Sequence, residues 1–269
     1  NKKNTHLFES NAWGTNKNIL FADYVFDKRN VKNFPAFKSF DTLVAFDKSW
    51  HQINKAKKKK VYIVHSTKFL DSWQVYVKNE ALNELRKNPK WYNKKNKYII
   101  YVLGALDHSM SSIDKAYSGE MLLNKTLEVI INHTNYHVLL KPHVITDLQI
   151  LNNNFFIKKN KKRLHIVYNH LAVLSQITNL VIGNYFSQSM PDAWINGAKI
   201  IEFSKYDTKV LKFCNNNSVA PFYVDTFINY NITKLKEELN KKVIRLKRNI
   251  TLNDKASMNE LLEKITFIK

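Results

Sequence analysis

NLVIGNYFSQSMPDAWINGAKIIEF, residues 179–203, reads as strand, tight loop, helix and strand. The apolar run 180–182 is of strand type, and Gly183 and Asn184 stop it, as turn residues do. Ser187 or Ser189 can cap the helix that follows, Pro191 suits its first turn, and Gly197 ends it. Residues 199–203 return to an apolar strand. A strand running through a polar loop into a helix N-terminus makes an anion site, because free backbone N–H groups and the helix dipole point at whatever sits there. An ordinary βαβ crossover with a capped helix has the same local pattern, so the rest of the chain must decide.

Working outward, the same alternation repeats. YIIYVL (98–103) is a buried strand ending at Gly104, and LDHSMSS (106–112) is a polar loop. Apolar residues at helical spacing predict a helix over 113–133, followed by a strand over 136–140 that ends in Lys141-Pro142-His143. A short helix is expected over 145–151, a loop over 152–163, a strand over 164–167 and a short helix over 170–177. After residue 203, a strand is expected over 221–224 and helices over 233–248 and 255–265. Strands alternating with helices imply an α/β fold with a doubly wound parallel sheet. In such sheets the ligand lies at the carboxyl ends of the strands, where the loops at 104–112, 141–143 and 183–192 converge.

The first part is less regular. Residues 18–26, 42–46 and 61–64 look like strands, and 73–87 like a helix with Trp73, Val77, Leu82 and Leu85 as its apolar stripe. NPKWYNKKNK (88–97) has no periodicity and reads as a linker. The expected organisation is an incomplete N-terminal α/β portion (1–72), helix and linker (73–97), a Rossmann-like donor-binding domain (98–250) and a C-terminal helix (251–269).

The chain has 269 residues and is 44% hydrophobic, enough for one large domain or two small ones. No apolar run reaches the roughly 18 residues of a membrane span. The start, Asn1-Lys2-Lys3-Asn4, has no signal-peptide pattern and is not Met, so the chain is expected to begin inside a longer protein or to have been processed. Cys214 is the single cysteine, which excludes an internal disulfide framework and fits a reducing cytosol. The net charge of +21 suits nucleic acid or an anionic membrane surface. Yet the lysines are spread among many asparagines, as an AT-rich genome also produces. No zinc-finger spacing, Arg-rich helix or RNP-like strand supports nucleic-acid reading.

Three stretches carry a resemblance. HSTKFLDSW (65–73) is similar to a G-x-P-K-x-D-x-W segment, LLKPH (139–143) to a K-P-H-P element, and GNYFSQSMPDAWING (183–197) to G-D-x-S-S-x-x-x-E-A-x-x-x-G. In this order they make residues 40–205 resemble the C-terminal half of a GT-B glycosyltransferase. More narrowly, the chain resembles bacterial surface and capsular polysaccharide transferases and CDP-glycerol glycerophosphotransferases. Departures are His65 in place of glycine, Val144 in place of proline, Gln188 between the paired serines, and Asp192 where glutamate is commoner.

The resemblance implies a metal-independent transferase acting on a nucleotide-sugar or CDP-glycerol donor and a polysaccharide or lipid-linked acceptor. It implies no cofactor other than the activated donor. In its donor site Ser187, Gln188 and Ser189 meet donor phosphates, and Gly183 opens the loop. Lys141 and His143 supply a cation and a proton donor near neutral pH. Asp192 meets ribose or sugar hydroxyls, and Gly104 allows close backbone approach below a loop carrying His108 and Ser109, with Ser111 and Ser112 beyond. The catalytic base is expected from the first domain. Asp23, Asp27 and Asp47 stand there without an assigned role. D-x-D is absent, neither the four-residue spacing of His133 and His137 nor any acidic cluster is read as a metal site, and His133, His137 and His165 are expected to pack or face solvent.

Other readings are a UDP-sugar 2-epimerase, against which the short N-terminal part counts, a non-catalytic donor-binding module of a larger protein, and a basic nucleic-acid or membrane-surface protein. The expected location is cytoplasmic, with peripheral contact at the inner face of an anionic membrane.

Overall fold

The computed structural model describes residues 19–22, 42–45, 60–63, 71–87, 89–104, 106, 113–143, 146–185, 187 and 189–248. His108, Ser109 and Gln188, most of the segment 65–73 and the expected helix over 255–265 lie outside them. The chain forms two compact units, divided after Trp73 and after Arg248. In the first, β1 (Ile19–Ala22), β2 (Thr42–Ala45) and β3 (Lys60–Ile63) form a parallel sheet in that order. These strands fall on the three apolar runs read as strands.

The unit Gln74–Arg248 holds a six-stranded sheet. Its strands are β4 (Tyr98–Val102), β5 (His137–Lys141), β6 (Leu164–Ile166), β7 (Leu180–Gly183), β8 (Lys199–Ser204) and β9 (Thr226–Asn229), in the order β6-β5-β4-β7-β8-β9. All five pairings are parallel. The chain starts in the middle of the sheet, builds outward one way to β6, then returns to β7 and builds the other way. The reversal lies between β4 and β7, the position at which sheets of this order open a crevice. β4 and β7 are buried along their full length, as expected with both faces covered.

The helices follow from their caps. They are α1 (Asp71–Arg86), α2 (Gly119–His133), α3 (Leu148–Asn153), α4 (Phe155–Lys159), α5 (Leu171–Leu174), α6 (Met190–Ile195), α7 (Thr208–Phe213) and α8 (Ile232–Asn240). Ser118, Asp147, Asn154, His170, Asp207 and Asn231 each accept a backbone N–H with a side-chain atom at the start of α2, α3, α4, α5, α7 and α8. Leu123, Leu127 and Ile130 of α2, Leu151 of α3, Ile157 of α4 and Leu235 and Leu239 of α8 form one core with Ile99, Tyr101, Val138, Leu140, Ile182 and Phe203. Among the described residues, no helix is long and apolar enough to cross a membrane.

Several elements differ from expectation. α2 starts at Gly119, because Ile113 is held in an antiparallel bridge to Tyr206 and Ser118 caps the helix. The 152–163 loop contains α4, started by Asn154. On α1, Val77 and Ala81 are buried one turn apart, whereas Leu82 points away and is 48% exposed. The stretch read as linker carries a turn on β4, where Trp91 and Tyr92 pack on Tyr98 and Tyr98 Oη accepts the Asn93 N–H at 2.6 Å.

Strand β9 lies at 226–229 and not 221–224. Phe222 and Tyr223 pack instead on Trp194, and Asp225 accepts the Ile200 N–H before the strand starts. α8 ends at Asn240, and the basic run after it is a strap. Arg245 donates to the Asn196, Ser175 and Gln176 carbonyls, and Arg248 to those of Trp194 and Ala198 and to Asp225. The strap's close approach explains Gly197: at φ +80°, a Cβ there would sit 2.3 Å from the Leu246 carbonyl oxygen.

Candidate functional site

Register places the candidate residues side by side. Val102 near the end of β4 is paired with Lys141 of β5 on one side and Gly183 of β7 on the other. With neighbouring strands about 4.8 Å apart, Lys141 and Gly183 are about 10 Å from each other across Val102. The loops carrying Gly104, Lys141-Pro142-His143 and Gly183–Ser189 therefore leave the sheet at one rim, over the reversal point.

Thr146 ties two of these loops together. Its hydroxyl donates to the Gly104 carbonyl at 3.2 Å and accepts the His143 N–H at 2.9 Å. The Leu103 N–H donates to the Lys141 carbonyl at 3.0 Å, extending the ladder one residue past β4. Lys141 is half-buried, and burial pulls its ammonium below the usual lysine range. Its Nζ reaches the Pro142 carbonyl at 3.4 Å, a long bond that an anion can displace.

The third loop is pinned by Asn184, which is buried. Tyr101 Oη donates to its Oδ1, and its Nδ2 donates to Thr126 Oγ1 at 3.0 Å and to the Phe203 carbonyl at 2.8 Å. Burial raises the Tyr101 phenol far above the usual range, so it stays a neutral donor. A Cβ at Gly183 would press on the Met190 methyl, the flexible end of its side chain, and come within 3.1 Å of the Tyr185 carbonyl oxygen.

The serines do not cap α6 in the expected way. Ser189 is the N-cap residue but makes no side-chain cap bond, and the Ser187 and Ser189 hydroxyls lie 3.0 Å apart, bonded to each other. Nor are the first N–H groups of α6 free. Met190 donates to the Ser187 carbonyl at 2.8 Å, Asp192 to the Ser189 carbonyl at 3.0 Å, and Pro191 has no N–H. With six residues the helix also has little dipole. The resource for an anion here is the hydroxyl pair, not the helix end. Asp192, in the first turn of α6, is 1% exposed.

A buried carboxylate stands next to the rim. Glu202 of β8 is paired in register with Gly183, is fully buried, and accepts a hydrogen bond from the Tyr206 phenol. Tyr206 packs edge-on against Tyr185 in the loop. Burial, reinforced by the Glu202 charge, pushes the Cys214 thiol up to about 11, which favours the protonated thiol. Sequence marks Asn184 only as a turn residue and does not single out Thr146 or Glu202. Glu202 is hidden inside an apolar strand and Thr146 in a run that reads as a short helix, so neither carries a local signal. Among the described residues, no group of three His, Cys, Asp or Glu side chains is placed to hold a metal ion.

No family model matches the chain, and no curated protein matches it either. Solved structures do. The Methanocaldococcus jannaschii UDP-GlcNAc 2-epimerase, in complex with UDP-GlcNAc and UDP, aligns with a TM-score of 0.55 at 15% identity over 85% of this chain and 62% of that one. The wall teichoic acid polymerase TagF aligns with a TM-score of 0.43 at 16% identity, over 84% of this chain and 58% of that one. Arabidopsis thaliana UGT89C1, complexed with quercetin, gives 0.49 at 10% identity, over 93% and 67%. The chain thus spans less than two thirds of the epimerase and of TagF. At such identities the likeness is one of fold, and in fold the described sheet with its flanking helices is a GT-B-like α/β domain.

Proposed function

We propose that this chain is the donor-binding part of a metal-independent transferase. It moves a glycosyl or glycerophosphoryl group from a nucleotide-activated donor to a surface polysaccharide or lipid-linked acceptor. The observation that carries this reading is the convergence of three polar loops over the β4/β7 reversal point. The M. jannaschii enzyme of similar fold is in complex with UDP-GlcNAc and UDP, which supports a nucleotide diphosphate as the ligand class.

In this reading the Ser187 and Ser189 hydroxyls turn from each other to the donor phosphates, with Gln188 between them. Lys141 and His143 approach from the other side, and Gly104 lets the donor lie close to the backbone; in the same reading His108 and Ser109 are donor contacts. Such donors stabilise the charge that develops on a leaving phosphate without a metal. The acceptor oxygen bonds to the transferred carbon or phosphorus as the bond to the leaving nucleotide breaks. The electron pair stays on the leaving phosphate, and the acceptor proton passes to a base from outside the described residues. Asp192, in the first turn of α6, meets a ribose or sugar hydroxyl on loop opening. The protein works in the cytoplasm, its +21 charge holding it at an anionic membrane face.

Calorimetric titration with UDP, CDP and CMP tests the reading. Binding of a nucleotide diphosphate supports it, and no binding by any of the three removes it. Product analysis with UDP-GlcNAc then separates transfer from epimerisation and from a binding-only module.

A further inference from the structure

A cavity of about 950 Å³ lies on the outer face of α2. One wall is α2, through Glu120, Asn124 and Glu128, one turn apart along the helix. The other runs from Asp147 through Gln149 to Phe155 at the start of α4. It begins one residue after Thr146, whose hydroxyl is bonded to Gly104 and His143 at the donor rim. The Asp147 end of the groove is therefore the end next to the rim that holds Gly104 and His143.

The lining is neither a leftover core nor a phosphate site. Phe155 is 78% exposed although it opens a helix, while the next turn of α4 is anchored by the buried Ile157. Tyr230 faces the cavity from a backbone with φ +46°, which its ring holds by stacking on Phe203 and meeting Tyr117 edge-on. Between these rings Met121, Ile150 and Phe156 contribute apolar surface, with polar groups set among it. Carboxamides of Asn124, Gln149 and Asn153 alternate with the carboxylates of Glu120, Glu128 and Asp147. Three carboxylates face one ammonium, Lys125, which is bonded to Glu128. The groove is thus locally negative in a chain of net charge +21. The local charge here disfavours a polyanion.

Aromatic faces beside planar amides and carboxylates match the chemistry of a sugar ring. Its C–H face stacks on an aromatic ring, and its neighbouring hydroxyls bond to planar groups that accept or donate in pairs. We propose that this groove binds an uncharged or amino-bearing oligosaccharide segment, the acceptor strand leading to the donor site. The term acceptor rests on the transferase reading above. The groove and its ligand class stand on the cavity itself.

The test uses the full chain with maltohexaose, a chitosan hexamer and oligo(glycerol phosphate) as probes, alongside UDP. The variants are Phe155→Ala and Glu120→Lys, both at exposed positions that leave the core untouched. The expected result is binding of maltohexaose or the chitosan hexamer. Phe155→Ala weakens it by at least about fivefold, the size of one lost aromatic contact, and Glu120→Lys removes any preference for the amino-bearing probe. Nucleotide binding is unchanged in both variants. The inference is overturned if neither saccharide binds, if both variants bind as the parent does, or if oligo(glycerol phosphate) binds better than the saccharides. It is also overturned if a lysine-rich peptide occupies the groove and the saccharides do not. Saccharide binding without UDP binding sinks the transferase reading and leaves the groove. UDP binding without saccharide binding does the reverse.

Discussion

Replacing Asn184 by alanine strips the loop after β7 of its anchor, and the structure sets the size of the loss. The Tyr101 phenol, fully buried and neutral, loses the acceptor it donates to. An unsatisfied buried donor costs about 1–3 kcal/mol. The Phe203 carbonyl and Thr126 hydroxyl each lose the Asn184 Nδ2 donor, worth about 1 kcal/mol apiece. The expected destabilisation is about 3–5 kcal/mol, a large part of the about 5–15 kcal/mol that holds a typical domain together. Adding Tyr101→Phe removes the stranded hydroxyl and should restore about 1–2 kcal/mol. Urea unfolding of the parent, both single variants and the double variant gives the four numbers. A loss below about 1 kcal/mol for Asn184→Ala, or single effects that simply add, would refute the claim that this side chain pins the loop.

Three further outcomes are expected. Changing Ser187 and Ser189 together to alanine should weaken nucleotide binding at least about tenfold, since each hydrogen bond to a charged group is worth roughly 1.5–3 kcal/mol. The urea midpoint should barely move, because neither hydroxyl caps α6; a loss of stability with intact binding would make them structural. Gly197→Ala should destabilise by at least about 2 kcal/mol by forcing a side chain into a left-handed position and against the strap. An unchanged unfolding midpoint would mean the strap yields freely.

The third concerns pH. His137 and His165 stack with their Nδ1 and Nε2 atoms 3.2 Å apart. Burial lowers both imidazoles, with Arg163 adding to the effect on His137 and His137 to that on His165. The unfolded chain therefore binds protons more readily, and stability is lost as pH falls below about 6.5. A melt series from pH 7.5 to 5.5 should show the decline, and His165→Asn should flatten it. A parent whose melting temperature is flat across that range would contradict the pairing.

The parallel sheet was legible because its strands are continuous apolar runs: YIIYV, HVLL and LVI have no second use in a chain of this kind. What sequence misplaced was decided by distant partners. FYV at 222–224 is as apolar as a strand, but Trp194 takes its rings and Asp225 turns the chain before β9 begins. The run to Arg248 keeps helical spacing, yet Arg245 and Arg248 find better partners in carbonyls left exposed near residues 175, 196 and 198 than in another helical turn. At the site, Gly104, Lys141, His143, Gly183, Ser187 and Ser189 share one rim because register puts them there. Their chemistry differs from expectation in one respect. The N–H groups at the start of α6 are spent on the turn, and the two hydroxyls bond to each other instead of capping the helix. That distinction depends on backbone geometry within a single turn, which residue type does not encode.

The central claim is that a nucleotide diphosphate sits over the β4/β7 reversal point. The most direct measurement follows backbone amide signals of the labelled chain by NMR during titration with UDP and with CDP. The account predicts saturable shifts centred on Gly104, His143, Gly183, Ser187 and Ser189, with the amide of His137, at the opposite end of β5, unmoved. Shifts centred on another surface, or no saturable shift with either nucleotide, would contradict it.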